Sequence, residues 1–501
     1  MLNTSSHSSQ RILSHMQTKK SAYWERLQKK NSLSLFHKAA VRVPAYKDFL
    51  KKHNIKHELI TTWDDFILLP VVNKKNYIRK YPLKDLCWDG SIAKPMILTA
   101  TSGSTGEPSY FLRQETLDWQ YSISMERYLK RAINGSNGTT LIIICFGMGI
   151  WIGGLITYKA IEMAAFRKQF PMSIITPGIN KKEIFAALKK LAPLYDQTLI
   201  IGYAPFVKDI IDESKNEGIN VKKLNLRLVF AAEAITEEVR DYMFKHAGIN
   251  DIYTDFMNIY GSADIGAMAF EEATSILIRR LARDNKELFH DIFTSINKIP
   301  TLAQYNPMFI NFESVDGEIV LTGDNAIPLI RYSIGDNGGV LSYAKATDIL
   351  SQHGISLSQQ AKKLGIQDCI TELPFVFIYE RADFSVSLYG LNIYPEWIRK
   401  AIVSTDLSEK LTSKFTLITR FDENGDQYLE LNVELKKGAK ASIEFKRNAE
   451  KLIVDYLSQS SSEYQELLHH LKERAYPKLK FWRSEDPLYF QPGIKQKWVT
   501  S

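Results

Sequence analysis

The sequence predicts an α/β protein with a large amino-terminal domain of mixed sheets flanked by helices, followed by a small α+β domain. Between residues 95 and 230, short apolar runs such as TTLIIICF and QTLIIG alternate with amphipathic stretches such as KKEIFAALKK. This alternation is typical of a mainly parallel sheet covered by helices. After about Asp383 the pattern changes to a hairpin-like run, KFTLITRFDENGDQYLELNVELKKG. We therefore expect a large domain over residues 1–382 and a small one over 383–501.

Composition narrows the class of protein. A chain of 501 residues is too long for one core, so two or three domains are expected. The net charge of +8 is spread along the chain, which does not by itself indicate a nucleic-acid partner. The start of the chain has no apolar core and does not resemble a secretory signal. The three cysteines, Cys87, Cys145 and Cys369, are far apart and predict neither a disulfide framework nor a cysteine metal site, so a reducing cytoplasm is the expected location.

The longest apolar run, LIIICFGMGIWIGGLI, is too short for a membrane span. It covers residues 141–156 and contains glycines at four positions, whereas a spanning helix needs about 20 apolar residues. A buried strand followed by a turn is the better interpretation, so no membrane association is expected.

The remaining elements follow in chain order. Residues 21–82 predict interrupted helices that end in a proline-bounded connector, LLPVVNKKNYIRKYP. Residues 273–300 indicate basic helices, 317–333 two strands joined by a loop, and 341–370 a helical insertion. In the small domain, helices are expected at about 395–410 and 441–473, on either side of a hairpin that turns at ENGD.

The stretch TSGSTGEP at residues 101–108 has the chemistry of a phosphate-binding loop. Its glycines, Gly103 and Gly106, would let backbone N–H groups approach a phosphate closely. Its hydroxyl side chains can donate hydrogen bonds to phosphate oxygens; these are Thr101, Ser102, Ser104 and Thr105. No Gly-Lys-Ser/Thr follows, so this is not a Walker loop. Taken alone, the stretch leaves a flexible surface turn open as the alternative.

A series of further motifs carries a family resemblance. SGSTGEP resembles the phosphate loop of the adenylate-forming superfamily of acyl-CoA synthetases and adenylation domains, in particular its phenylacetate–CoA ligase-like branch. Other stretches resemble that branch's motifs in the family's order: VPAYKDFL, LPVVNKKNYIRKYP, FGMGIWIGGLITYKAIE, LVFAAEAITEEVR, NIYGSADIG, IRYSIGD, ERADFSVSLYGLNIYPEWI and QPGIKQKW. Each motif is weak or moderate, but their order and separations over about residues 41–499 make the resemblance specific.

The chain departs from the family pattern at several positions. Asp264 replaces the glutamate of YGxSE, Glu380 replaces the hinge glycine, and Ile494 replaces a glycine of the last motif. Ser109 stands where the wider superfamily usually has lysine, but the phenylacetate–CoA ligase-like branch also tends to lack that lysine. Segments 273–305 and 341–372 look longer than in phenylacetate–CoA ligase. These departures indicate a subgroup with a different acid or acceptor.

The resemblance implies a two-step ligase reaction. ATP and Mg²⁺ would activate a small carboxylic acid to an acyl- or aryl-adenylate, and the acyl group would then pass to the CoA thiol. The small domain is mobile in this family and would rotate between the two steps. The alternatives that remain open are transfer to the phosphopantetheine of a separate carrier protein, to a protein cysteine or to an amine, and a degenerate homologue that binds without chemistry. Relatives often form homodimers, but nothing in the sequence specifies an interface.

The resemblance also implies a nucleotide site. The phosphates would lie on the loop at 101–106, and the ribose hydroxyls would donate to Asp336, a carboxylate that can accept two hydrogen bonds. Asp264 would bind Mg²⁺, with a helix N-cap as its alternative role. Tyr260 would stack on the adenine, with a core aromatic as its alternative. The other implied contacts are Ala232, Glu233 and Ala234 at the adenine, Gly261 and Ser262 beside Tyr260, Arg381 at the ribose or phosphates, and Gly390 at the pantetheine arm.

Lys495 is the implied catalytic residue. An ammonium that contacts both the α-phosphate and the attacking carboxylate would stabilise the charge that develops on both and align the two reactants. Lys497, two residues further on, is the alternative for the same role. Asp383 is the implied hinge. An apolar acid pocket is expected around Phe146, Met148, Trp151 and Tyr203, with Ile152 and Phe206 nearby.

Overall fold

The computed structural model describes residues 6–94, 96–100, 110–131, 138–148, 152–232, 234–293, 300–379, 386–403 and 405–490. The first described helices are α1 (Ser6–Thr18), α2 (Ser21–Arg42), α3 (Pro44–Lys52) and α4 (Trp63–Phe66), and α2 lies on the antiparallel end of the main sheet. The apolar side of α2 is buried through Phe36 and Ala39, which pack against strand residues such as Phe312. A reciprocal capping box between Thr62 and Asp65 starts α4.

Two short strands bracket the predicted phosphate loop. The strands β1 (Ile97–Ala100) and β2 (Tyr110–Arg113) pair antiparallel, and Ala100 lies opposite Tyr110. The stretch 101–109 therefore connects two hydrogen-bonded strands, and the helix α5 (Glu115–Leu129) begins directly after them.

An eleven-stranded sheet forms the centre of the large part of the chain. Its strands are β3 (Thr140–Cys145), β4 (Met172–Ile175), β5 (Gln197–Gly202), β6 (Leu226–Ala231), β7 (Phe256–Ser262), β8 (Gly266–Glu271), β9 (Thr301–Tyr305), β10 (Ile310–Val315), β11 (Glu318–Gly323), β12 (Leu329–Leu341) and β13 (Phe375–Ile378). Their order across the sheet is β10–β11–β12–β13–β9–β8–β7–β6–β5–β3–β4. The α/β class with mixed sheets is confirmed.

The parallel pairing predicted for residues 95–230 is found in the main-sheet strands of that range, and the later strands add an antiparallel part. Strands β3 to β7 pair in parallel, and the helices α6 (Ile152–Lys168), α7 (Lys181–Lys190), α8 (Ala204–Ser214) and α9 (Glu237–Ala247) connect them. From β8 onwards every pairing in the main sheet is antiparallel. Antiparallel neighbours need no crossover helix, so short links such as the turn between β7 and β8 suffice.

The two segments expected to be insertions form a layer of their own. They contain α10 (Ala273–Arg283), α11 (Lys286–Phe293), α12 (Tyr343–Gln352) and α13 (Leu357–Lys363). Their apolar sides share one core with β13, through residues such as Leu277, Ile349 and Phe375. The predictions of basic helices near 273 and of helices after 341 are confirmed, and the interpretation of these segments as insertions stays a prediction.

The carboxy-terminal part has strands and helices of its own, and its apolar residues share one core with strands of the main sheet. The strands β14 (Val386–Leu388) and β15 (Leu391–Ile393) form a small hairpin. A second hairpin, β16 (Leu411–Phe421) with β17 (Gln427–Leu435), is joined in parallel by β18 (Lys478–Trp482). The helices that cover these strands are α14 (Pro395–Val403), α15 (Leu407–Lys410), α16 (Ile443–Ser460) and α17 (Ser462–Leu471). The unit starts close to Asp383, which itself lies outside the described residues, and the exact ranges 1–382 and 383–501 stay a prediction.

The helices can be compared with the length and apolarity of a membrane span. Within the described ranges, no helix has both the length and the apolarity that a bilayer crossing requires.

Candidate active site

The end of β7 holds the first pair of predicted nucleotide contacts. Tyr260 is near the end of this strand, and its hydroxyl donates a 2.7 Å hydrogen bond to Oδ2 of Asp336. Asp336 lies inside β12 and its side chain is buried. The fold therefore brings together two residues that are 76 positions apart in the chain. A tyrosine that holds a carboxylate in one orientation is a suitable arrangement for a ribose contact.

Asp264 lies four residues after Tyr260, in the turn between β7 and β8. No helix starts there, so the alternative of a helix N-cap is wrong. The carboxylate is only 2% exposed. Its Oδ1 lies 3.0 Å from Nζ of Lys74, and its Oδ2 accepts a 2.7 Å hydrogen bond from the hydroxyl of Tyr332. Both oxygens are therefore paired with groups from other parts of the fold.

Lys74 is a site residue that the sequence reasoning missed. The segment that carries it runs beside β12, because Val72 exchanges backbone hydrogen bonds with Arg331 and Ser333. The same ammonium lies 5.8 Å from the centroid of the Phe111 ring in β2. Lys74 therefore provides a cation between Asp264 and the strands that carry the loop at 101–109. Lys74 lies within the stretch LPVVNKKNYIRKYP, whose resemblance to a family motif was the available signal for this residue.

A magnesium ion at Asp264 does not fit this arrangement of side chains. The ion would have to displace the ammonium of Lys74, since the other carboxylate oxygen is taken by Tyr332. The described residues also contain no group of three or more His, Cys, Asp or Glu side chains that could hold a metal. Mg²⁺ at Asp264 stays a prediction, and no step is derived through it.

Two backbone features mark the surroundings of Tyr260 as constrained. Ala232, which follows β6, has φ +70°, a left-handed conformation that costs an alanine free energy and is concentrated at functional sites. A Cβ on Gly261 would lie 2.8 Å from the carbonyl oxygen of Gly266, so only glycine allows β7 and β8 to approach this closely. The buried Oγ of Ser262 has no hydrogen-bond partner among the described residues, which is typical of a polar group whose partner is a ligand. Ala234 is exposed just beyond Ala232.

The described residues of the predicted acid pocket are placed as follows, and the pocket itself stays a prediction. The rings of Phe146 and Tyr203 meet edge to face, with centroids 4.9 Å apart. Met148 lies against α6, where a Cβ on Gly154 would come within 2.6 Å of its Sδ. Phe206, by contrast, is fully buried in the core on the opposite face of the sheet, so it does not line the pocket.

The small unit reaches this pocket through the turn between β14 and β15. Gly390 has φ +80°, and a Cβ at this position would overlap the ring of Tyr203. Only glycine fits there, because any side chain would force the turn and the ring apart. The glycine that the resemblance places beside the pantetheine arm therefore contacts Tyr203, one of the residues predicted for the acid pocket.

Several predicted site residues lie outside the described residues. These are Thr101, Ser102, Gly103, Ser104, Thr105, Gly106, Trp151, Glu233, Arg381, Asp383 and Lys495. Their roles stay predictions.

Solved structures with the same fold are recognisable despite low sequence identity. No family model and no curated protein matches the sequence. A crystal structure of 2-hydroxyisobutyryl-CoA ligase, in complex with 2-HIB-AMP and CoA in the thioesterification state, superposes with a TM-score of 0.64 at 14% identity. The match covers 97% of this chain and 91% of the ligase. The chain has the fold of the adenylate-forming ligases.

The match to this adenylate-forming fold depends on the state of the ligase. In its postadenylation state with 2-HIB-AMP, the ligase gives a TM-score of 0.53 at 14% identity, over 97% of this chain and 90% of the ligase. In an open conformation with 2-HIB-AMP and CoA, the score is 0.52 at 14% identity, over 97% of this chain and 94% of the ligase. Sequence identity and coverage of this chain are equal in all three, so the higher score of the thioesterification state reflects how the parts of the chain are arranged.

The pair of Lys74 and Asp264 can be tested by its effect on stability. We expect Lys74→Met to lower the free energy of unfolding by about 2–3 kcal/mol, because it leaves a buried carboxylate without its cation. The double variant Lys74→Met/Asp264→Asn should recover most of this loss, since the remaining amide carries no charge. Urea unfolding of both variants and of the matched exposed variant Lys75→Met measures the difference. Equal stability of Lys74→Met and Lys75→Met would contradict the pairing.

Proposed function

We propose that this protein is an ATP-dependent carboxylic acid–CoA ligase that works through an acyl- or aryl-adenylate. The observation that carries the proposal is the hydrogen bond from Tyr260 of β7 to Asp336 of β12, in a chain that has the adenylate-forming fold over nearly its full length. The sequence motifs that imply these roles are independent of the structural match, because identity to the matched ligase is only 14%.

The nucleotide would be held from three sides. Asp336, oriented by Tyr260, would accept hydrogen bonds from the ribose hydroxyls. The loop at 101–106 would bind the phosphates, and its flanking strands lie close to the ammonium of Lys74. We assign Lys74 to the same phosphate groups, since a compact ammonium beside a hydroxyl-rich loop attracts them. The adenine would lie along Ala232 and Ala234.

The acid would lie next to Phe146 and Tyr203, with its carboxylate directed towards the α-phosphate. An apolar and aromatic lining favours an aryl or medium-sized apolar acid. Lys495 would contact both reactants, stabilise the charge that builds up as the new bond forms, and assist the departure of pyrophosphate. The finer assignment to the phenylacetate–CoA ligase-like branch rests on the motifs of the sequence alone.

In the second half-reaction the thiol of CoA would attack the acyl carbon and release AMP. The pantetheine arm would pass Gly390, where the turn between β14 and β15 approaches Tyr203. The matched ligase was crystallised with 2-HIB-AMP and CoA, which supports CoA as the acceptor proposed for this chain.

Pyrophosphate exchange tests the proposal. The purified protein, ATP, Mg²⁺ and labelled pyrophosphate are incubated with a panel of aryl, short-chain and hydroxylated acids. We expect label to enter ATP only when an accepted acid is present. Addition of CoA should then give the thioester and AMP in equal amounts, measured by mass spectrometry. Exchange without thioester formation would indicate a carrier protein or an amine as acceptor. A lack of exchange with every acid, together with a lack of ATP binding, would overturn the proposal.

A variant of the ribose contact gives a test that needs no acid. We expect Asp336→Asn to weaken ATP binding roughly 10–100-fold, because hydrogen bonds to a charged group contribute about 1.5–3 kcal/mol. Isothermal titration with ATP measures the loss. Asp348→Asn, an exposed position on α12, is the matched control and should bind ATP as the unmodified protein does. Unchanged binding in Asp336→Asn would remove Asp336 from the nucleotide site.

A further inference from the structure

Arg474 joins the small unit to the large one. It lies in a short 3₁₀ turn, Lys472–Ala475, directly before the segment that leads into β18. Its Nη1 is 2.9 Å from Oδ2 of Asp209 and 3.1 Å from Oε1 of Glu213, and both carboxylates belong to α8 of the large part. The side chain of Asp209 is 1% exposed, whereas that of Arg474 is 35% exposed, so the carboxylate is the shielded partner of this pair.

A second cross-domain pair lies beside the first. Nζ of Lys208 on α8 is 3.0 Å from Oδ1 of Asp426, in the turn between β16 and β17, and 2.6 Å from Oδ2 of Asp212. Asp426 also lies 3.5 Å from Nη2 of Arg474, so the two pairs share one carboxylate. Burial lowers the pKa of Lys208, but the two neighbouring carboxylates outweigh it and raise this pKa above its ordinary value. The ammonium therefore remains charged.

The same arginine also contacts the hairpin that enters the acid pocket. Its Nη2 donates a 2.9 Å hydrogen bond to the hydroxyl of Tyr389, the residue before Gly390. Tyr389 is tied in turn to β17, because its backbone N–H donates to Oε1 of Gln427 at 2.6 Å. One guanidinium therefore connects α8, the turn of β16 and β17, and the turn that carries Gly390.

We propose that Arg474 and Lys208 are positioning residues that clasp the small domain onto α8 in the orientation used for thioester formation. The higher TM-score of the thioesterification state over the postadenylation and open states supports this orientation. The link to thioester formation rests on the proposed function, whereas the clasp itself rests on the contacts described here. By the clasp we mean Arg474, Lys208, Asp209, Glu213 and Asp426.

The charges of the clasp explain why rotation of the small domain away from α8 would cost free energy. If the small domain turned away, Asp209 would keep only Lys181 of α7, whose Nζ is 3.6 Å away. Burial raises the pKa of Asp209 to about 6, even though Lys181 and Arg474 act in the opposite direction. The carboxylate is therefore ionised at about pH 8, where the clasp is best tested. Truncation of one partner of a desolvated charge pair costs more than loss of an exposed pair.

The clasp can be tested by a distance measurement that needs neither substrate nor activity. Spin labels are attached at Lys190→Cys on α7 and Lys437→Cys after β17, both exposed positions, in a Cys369→Ser background that leaves only two buried cysteines. We expect one narrow distribution of distances for the unmodified clasp. Arg474→Met, and independently Lys208→Met/Asp426→Asn, should broaden it, and Arg474→Lys should broaden it less. The second set of substitutions keeps the test informative if Arg474→Met does not fold.

The matched control is Lys480→Met. Lys480 forms a 2.6 Å ion pair with Glu430 inside the small unit, and this pair does not cross to α8. We expect the control to keep the narrow distribution. If both sets of clasp substitutions gave the same distribution as Lys480→Met, the proposal would be overturned.

The kinetic consequence separates the clasp from the proposed function. With an acid that supports pyrophosphate exchange, clasp variants should lose at least ~10-fold in thioester formation and keep their exchange rate, because only one of the two orientations is destabilised. Equal losses in both reactions would overturn the positioning role. If no acid supports exchange in the unmodified protein, the proposed function fails, and the distance measurement still decides the clasp.

Discussion

Lys495→Ala should remove carboxylate-dependent pyrophosphate exchange, with a loss of ~10³-fold or more. The ammonium is expected to contact the carboxylate and the α-phosphate together, so its removal takes away both charge stabilisation and alignment of the reactants. Binding of ATP should change little, because the loop at 101–106 and Asp336 supply most of that affinity. Exchange and ATP titration, measured on the same preparation, separate the chemical step from binding.

Lys497→Ala is the matched control for this prediction. It removes an ammonium only two residues away, in the same segment Lys-Gln-Lys. We expect it to retain exchange. The reverse result, loss in Lys497→Ala and retention in Lys495→Ala, would move the catalytic role by two residues, and retention in both would leave the proposed mechanism without its cation.

Gly390→Ala should slow thioester formation by roughly 10–100-fold and spare the exchange reaction. The added methyl would overlap the ring of Tyr203, and overpacking of this kind costs about 1–3 kcal/mol. The clash exists only where the turn between β14 and β15 meets the large part of the chain, so an orientation that separates them is unaffected. Single-turnover transfer from the adenylate to CoA measures the loss.

Gly438→Ala separates this clash from ordinary backbone strain. Gly438 also lies in the small unit and has φ +83°, but a Cβ there would have no neighbour within 4 Å. Both substitutions carry the cost of a left-handed alanine, about 1–2 kcal/mol, and only Gly390→Ala adds the overlap with Tyr203. Equal thioester rates in the two variants would show that the approach of Gly390 to Tyr203 is unimportant for transfer.

Local patterns predicted the elements well. The run TTLIIICF is the buried strand β3, KKEIFAALKK is α7, and the turn at ENGD joins β16 to β17. These predictions succeeded because a buried strand and a surface helix each impose a periodicity that neighbouring residues display directly. The direction of pairing was harder to predict. The runs around β9 to β13 resemble those around β3 to β6, and only the links between strands decide whether neighbours are parallel.

In the candidate site too, local motifs could be predicted from the sequence and contacts between distant segments could not. Tyr260, Asp264 and Asp336 were recognisable because each lies in a short motif of the chain. The partners of Asp264 were not recognisable in the sequence, because Lys74 lies 190 positions away from it and Tyr332 lies 68 positions away. Tyr332 is part of β12, and the pairing of Val72 with β12 brings Lys74 to the same place. Phe206 was predicted to line the acid pocket, but it is buried in the cluster on the face of the sheet away from Phe146, and Tyr203 packs against the clusters on both faces.

The sequence by itself determined the class of fold, the order of its elements and the residue types needed to bind a nucleotide and activate an acid. These properties depend on periodicity, on glycine at constrained turns and on the chemistry of single side chains, all of which are local. Only the tertiary structure decided that a lysine neutralises Asp264 and that Arg474 bridges α8 to the hairpin of Gly390. Such pairs form where distant segments exclude water together, because charges interact strongly only when the fold removes them from solvent.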